Sequence, residues 1–357
     1  MRLSFLISCF IFFNFTGIFA GNTPNTYRIE IELQHFDGDT LLLGYYFGKS
    51  QYLKDTAVLD KGKFVFEGSD TLKHGVYLIV IPPDNKFIHL LVAEDFPKIS
   101  MSADLQNIVP SAKFKGSQEN VIYYDYLKAL DQRRPLSDSM RRMVVQDSLH
   151  KEKYQKKIKE LDDEVVKIQD DVRTKYPASM TSMLIWANRD IEIPEFKDLT
   201  EEDRKQKQFE YYRAHYFDHF DLKDPRSLRS GVIQQKIDFF LNKLSYQLPD
   251  SQSVSMDLVL NKMDPKSEAF QYYLVYFLNE AAKSKRMGMD AVYVHLIDTY
   301  YATGFASWTE KEQLDKLIAQ AQSVRPTLIG KIAPDLTFYK ENGDPMSIHS
   351  IKSDYTV

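Results

Sequence analysis

The apolar residues of this chain change their spacing once, near Gly116, and that switch constrains the fold more than any other feature. From Tyr27 to about Gly116 they recur at every second position, the repeat of a strand with one buried face. From Ser117 onward they recur at every third or fourth, the repeat of a helix packed along one side. In the first region "YRIEIELQHF" alternates, "TLLLGYYF" continues after the turn Asp37-Gly38-Asp39, and "TAVLDKGKFVFEG" is a hairpin turning at Asp60-Lys61-Gly62. Further strands follow in "GVYLIVI", "KFIHLLVA" and "KISMSA", with Pro82 to Asn85 turning between the first two. Many short strands at this spacing predict an antiparallel β-sandwich or small barrel over residues 21–116.

Ser117 is the expected N-cap of the first helix, "VIYYDYLKAL". The longest helix is expected in "KEKYQKKIKELDDEVVKIQDDVRTKY", where Tyr154, Ile158, Leu161, Val165, Ile168 and Val172 form a seam too short for a true coiled coil. Pro177 ends it, and "ASMTSMLIWA" begins the next. Thr200 opens a helix with acids in its first turn, and Asp224-Pro225 is read as capping one that leads into "VIQQKIDFFLNKLSYQL". Three more run through "EAFQYYLVYFLNEAAKSK", "DAVYVHLIDTYYATG" and "EKEQLDKLIAQAQ", with Gly288 a helix stop between the first two. Residues 117–325 therefore read as an all-α domain, making the chain a multidomain α+β protein. Its aromatic residues are assigned mostly to the core.

Composition adds exclusions. Of 357 residues, 46 are Lys or Arg and 50 are Asp or Glu, so the net charge of −4 selects no polyanion, and nucleic acid is not an expected partner. Residues 1–20 have a short positive start, an apolar run and a small residue at Ala20, the anatomy of a secretory signal. Export to the periplasm or cell envelope is the expectation. The single cysteine, Cys9, lies inside that stretch; Leu6-Ile7-Ser8-Cys9 resembles a bacterial lipobox, the one route by which Cys9 would attach the chain to a membrane. From Gly21 onward there is no thiol, which excludes a disulfide, a cysteine-ligated metal and a cysteine nucleophile there.

Candidate chemistry is sparse. His215 and His219, four apart on one helix face with Asp218 beside them, have a spacing able to hold one metal through two imidazoles. They are the candidate metal ligands, and a metal-dependent hydrolase is the activity they would serve; no third ligand is marked. Asp162-Asp163 and Asp170-Asp171 read as the solvated face of the long helix. No phosphate-cradling glycine loop, nucleophile elbow or calcium loop is present, so no catalytic residue and no cofactor is assigned.

Several stretches together resemble one family. "GKFVFEG", "GSQEN", "YYRAHYFDHFDLKDPRSLRSG", "KSKRMGMDAVYVHLIDTYYATG" and "LIGKIAPDLTFYKENGD" are similar to the exported thiol:disulfide interchange proteins of Gram-negative envelopes. The most specific parts are Tyr211 to Arg229 and Ser284 to Pro334. The resemblance implies a β-domain and a helical domain of unknown role, followed over residues 326–357 by the first strands of a thioredoxin-like domain of the TlpA or AhpC/TSA type, incomplete in this chain. Ile329 to Leu336 would lead through a hairpin to a core strand begun by Tyr355-Thr356-Val357, with the redox C-x-x-C past Val357. Envelope protein substrates or redox partners are then the implied partners. The expected role is a non-catalytic scaffold or substrate-docking portion of a thiol-disulfide oxidoreductase, with residues 330–357 loosely packed. The alternative is a cysteine-free binding module for a peptide, glycan or envelope partner, which a contiguous exposed aromatic patch on the β-domain would favour.

Overall fold

The computed structural model describes residues 27–84 and 86–353. The signal-like stretch with Cys9, Asn85 and the strand expected at Tyr355-Thr356-Val357 lie outside the described residues.

The alternating region forms eight strands: β1 (Tyr27–Gln34), β2 (Thr40–Phe47), β3 (Ser50–Val58), β4 (Phe64–Gly68), β5 (Gly75–Ile81), β6 (Lys86–Val92), β7 (Lys98–Asp104) and β8 (Lys113–Lys115). A one-turn helix, α1 (Ile108–Ser111), joins the last two. They build two four-stranded sheets, ordered β4-β1-β7-β8 and β3-β2-β5-β6, that enclose one core. Ile29 and Ile31 of β1 face Phe66 and Phe64 of β4 and Ile99 and Met101 of β7, all at most 2% exposed. Each contributes about 1.5–3 kcal/mol relative to an exposed side chain. The expected sandwich is present and its strand pairs are antiparallel except one: β1 and β7 run parallel, Arg28 opposite Lys98 through Gln34 opposite Asp104. Alternation reports which face a residue takes, and it is blind to strand direction. β5 is buried on both faces, because its outward Val76, with Leu91 of β6, packs under Met180 of the helical domain.

The helical region comprises α2 (Gln118–Gln146), α3 (Lys151–Lys175), α4 (Met180–Ala187), α5 (Glu201–His215), α6 (Val232–Lys243), α7 (Pro249–Asn261), α8 (Glu268–Lys283), α9 (Asp290–Leu296) and α10 (Lys311–Val324). Ser117 does cap α2, accepting from the Asn120 backbone N–H, and Thr200 caps α5 through Asp203. α2, at 29 residues, is longer than the 25-residue α3, because the helix runs on through Pro135. Proline in a helix interior removes one hydrogen bond and crowds the preceding turn; here α3 packs along α2 and carries it past the fault. The seam expected on α3 is the side with buried Leu161 and half-buried Tyr154, Ile158, Val165, Ile168 and Val172.

Two other starts differ. Asp224 does not cap α6: its carboxylate accepts from the Arg226 backbone N–H at 2.9 Å and from the Arg226 guanidinium at 2.6 Å, forming a local turn. A 3₁₀ turn over Ser227–Arg229 follows, and α6 begins only after Gly231, whose φ of 72° is left-handed. α7 carries no strong periodicity in its Ser- and Asp-rich first half, and starts on Pro249 at the first helical position. Beyond α10, β9 (Thr337–Tyr339) and β10 (Pro345–Ser347) pair as a hairpin. Between Gly330 and Ser353 no described residue is buried. Among the described residues no helix is long and apolar enough to cross a membrane.

Candidate binding cleft

The two domains are fastened by local devices. The Asn120 side chain, fully buried at the start of α2, pairs with the edge strand β6 as a neighbouring strand would. It accepts from Leu91 N at 2.8 Å and donates to Leu91 O at 2.7 Å. The neighbouring Glu119 carboxylate accepts from Met180 N (3.1 Å) and Thr181 N (2.7 Å), the free N–H groups that open α4. On the other side the β2–β3 hairpin pushes its tip into the helical domain. Gly48 N donates to Leu228 O at 2.9 Å, and Lys49 N donates to the Tyr272 hydroxyl at 3.0 Å. Only glycine suits that tip, since φ is 58° and a Cβ would lie 2.0 Å from the Tyr272 ring.

Around that hairpin the rings of the two domains meet. Phe47 lies edge-on to Tyr272 (5.4 Å between centroids, 87°), and the Arg229 guanidinium sits over Phe47 at 5.1 Å. Across the strands Tyr45 stacks on Tyr52 at 5.7 Å and tilts against Tyr77 at 6.1 Å. Tyr272 stacks with Tyr276 at 6.3 Å, and Lys49 Nζ stands 4.8 Å over the Tyr276 ring. Two adjoining cavities result, sharing Phe47 and Tyr52 as a ridge. One, of about 590 Å³, runs along α8 past Tyr272, Tyr276 and Trp308. The other, of about 440 Å³, opens at the mouth of the sandwich between Tyr45, Leu72, Tyr77 and Arg229. Both are of ligand-site size.

Burial pushes the Tyr77 phenol up to about 12, so it stays neutral and donates to Lys73 O at 3.0 Å. Among the described residues neither cavity is lined by histidine or cysteine. The described lining offers ring faces, phenol hydroxyls and the Arg229 guanidinium together with Lys49, Lys54, Lys73, Asp70, Glu268 and Glu280.

The sequence-predicted ligands are not brought together. α5 ends at His215, so the helical spacing that would align it with His219 is lost. His215 Nδ1 bonds the Asp218 carboxylate at 2.6 Å, whereas His219 Nδ1 meets Arg189 O at 3.2 Å and its ring packs on Trp186. Among the described residues no three His, Cys, Asp or Glu side chains could share a metal. Asp162 and Asp170 face Arg141 and Arg189 on the solvent side. Asp257, which lines a separate hollow of about 600 Å³, has both carboxylate oxygens engaged, by His295 Nε2 and the Tyr300 hydroxyl, each at 2.8 Å. It ties α7 to α9 and the π-turn at Ile297–Tyr301 instead of offering a free base.

Sequence reasoning assigned the helical-domain aromatics, Tyr272 and Tyr276 among them, mostly to the core, and kept an exposed aromatic patch on the β-domain for its alternative reading. The signal it passed over is Tyr45-Tyr46-Phe47: consecutive rings on a strand must point to both faces, and a half-buried strand needs them on one. Arg229 closes the run Tyr211 to Arg229 on which the family resemblance is most specific.

No curated protein and no solved structure matches the chain. Residues 27–123 match a family described as a domain of unknown function, DUF4369, a span that runs past the change of periodicity to include Asn120 and its grip on β6. Residues 146–323 match a second domain of unknown function, DUF5106, and the described lining of the cleft comes from both matched stretches.

Proposed function

We propose that this chain is a binding module that holds an extended polypeptide in the aromatic cleft between its two domains, as the docking portion of an exported thiol-disulfide oxidoreductase. The observation that supports binding over a passive scaffold is the contiguous set of half-exposed rings, Tyr45, Phe47, Tyr52, Tyr272 and Tyr276, drawn from both domains. An extended chain suits two cavities separated by a ridge, because its side chains on one face repeat every ~7 Å. The redox half rests on the resemblance alone: Ile329 to Leu336 leads into the β9–β10 hairpin, and the thiols would follow Val357.

Fluorescence anisotropy of a labelled, reduced and carbamidomethylated protein that stays unfolded tests the reading. Tyr52→Ala and Tyr272→Ala are each expected to weaken binding about tenfold or more, as truncation of an aromatic anchor does. Unchanged affinity in both would remove the cleft from the function. Competition by an envelope oligosaccharide and not by unfolded protein would instead make the occupant a glycan. A coding sequence past Val357 without C-x-x-C would remove the redox assignment and leave the binding one standing.

A further inference from the structure

Among the described residues Arg229 is the only charged residue that is buried, at 8% exposure. Burying a charge is costly unless its hydrogen bonds are satisfied, and a guanidinium has five N–H donors. Here Nη2 donates to Glu268 Oε2 at 2.8 Å, while Nε and Nη1 donate to nothing among the described residues. Glu268 is itself largely exposed and lines the neighbouring cavity along α8. The cavity at the mouth of the sandwich therefore sees Arg229, Lys54 and Lys73 against the single carboxylate of Asp70, which is paired with Lys54.

The guanidinium is also held in place. A Cβ on Gly75 would come within 2.5 Å of Arg229 Cβ, so β5 is pressed against the base of the side chain. The 3₁₀ turn beneath it is closed by Arg229 N donating to Arg226 O at 3.0 Å, and Phe47 covers the charged end. Beside it stand apolar Leu72 and the hydroxyls of Tyr45 and Tyr52, which make no hydrogen bond among the described residues.

We propose that this cavity takes a carboxylate of the docked polypeptide, received by the free edge of Arg229, with the apolar part of the same residue against Leu72 and Phe47. The inference rests on the docking reading above and names the group that the site selects. A carboxylate matches the planar fork of the guanidinium in a charge-assisted pair, and the low exposure of Arg229 keeps that pair from being screened. The carboxylate has two sources, the chain terminus or an Asp or Glu side chain.

The test uses the intact protein and the same unfolded probe with its carboxylates either free or converted to neutral amides. Free carboxylates are expected to bind about tenfold or more tightly than amides. Equal binding of the two probes overturns the carboxylate site and leaves the docking reading intact; failure of both to bind overturns the two together. Short peptides ending in Phe then separate the sources. If only the free acid binds, the terminus is recognised, and if an amidated peptide with an internal Glu binds as well, the side chain suffices; a neutral amide that equals both sinks the proposal. Arg229→Lys keeps the charge without the fork and is expected to lose most of the acid-over-amide preference, with Lys73→Ala on the rim changing it little. Should Arg229→Lys not fold, the probe comparison on the unaltered protein still decides.

Discussion

Replacing Asn120 with alanine isolates the contact that makes the sandwich and the first helix one structure. The amide is fully buried and saturated: Oδ1 receives Leu91 N–H at 2.8 Å, and Nδ2 donates to Leu91 O at 2.7 Å and to Ser117 Oγ at 2.8 Å. Leu91, on the outer strand β6, is fully buried, so Asn120→Ala leaves one N–H and one C=O of that strand without partners. Each buried orphan costs about 1–3 kcal/mol, and the expected loss is about 3 kcal/mol, near the low end of the pair's range if water enters. For a cooperative unit of this size that lowers the melting midpoint by about 6–12 °C. Urea unfolding followed by circular dichroism measures the loss, and amide exchange at Leu91 locates it. Ser117→Ala, which removes the cap and one partner of the amide, is the milder control, at about 1 kcal/mol. A loss below about 1 kcal/mol for Asn120→Ala, with slow exchange kept at Leu91, would refute the strand-mimic reasoning.

Other consequences are as direct. Gly48→Ala forces a side chain onto a φ of 58° and into the Tyr272 ring, so it is expected to loosen the hairpin from α8 by about 1–3 kcal/mol, read as faster proteolysis at the β2–β3 turn. The hydrogen bond to Asp257 raises the His295 pKa above its ordinary 6.5, so its stabilisation is full below about pH 6.5 and is lost as pH rises through the folded value. With both groups part-exposed this is under about 1 kcal/mol, and His295→Gln should flatten that part of the midpoint-against-pH curve; an unchanged slope would discard the pair as its source. Amides of the β9–β10 hairpin are expected to exchange rapidly while those of β1 and β5 stay protected, since no residue between Gly330 and Ser353 is buried; equal protection would show that this segment packs elsewhere.

Much of the architecture was legible along the chain because its causes are local. Alternation at Ile29 and Ile31 and capping at Ser117 and Thr200 each depend on neighbours within a few residues, whereas Gly288 is not the stop it was read as: α8 ends at Lys283 with Ser284 extended, and Gly288, at φ 82°, turns the chain into α9. The start of α6 was misread because Asp224 had two local uses, and the turn onto Arg226 won over a helix cap. The His215–His219 spacing is not kept because α5 ends at His215, four residues short of His219.

The sequence by itself determined where strands give way to helices, which side of β1 and of α3 turns inward, and that no thiol chemistry resides from Gly21 onward. Tertiary structure alone decided that β1 and β7 run parallel, that the Asn120 amide completes the edge of β6, and that Phe47, Tyr52, Arg229 and Tyr272 surround one cleft. Periodicity records the direction in which a side chain points relative to its own backbone. Which distant surface it meets depends on how whole sheets and helices close on one another, and the cleft is made of such meetings.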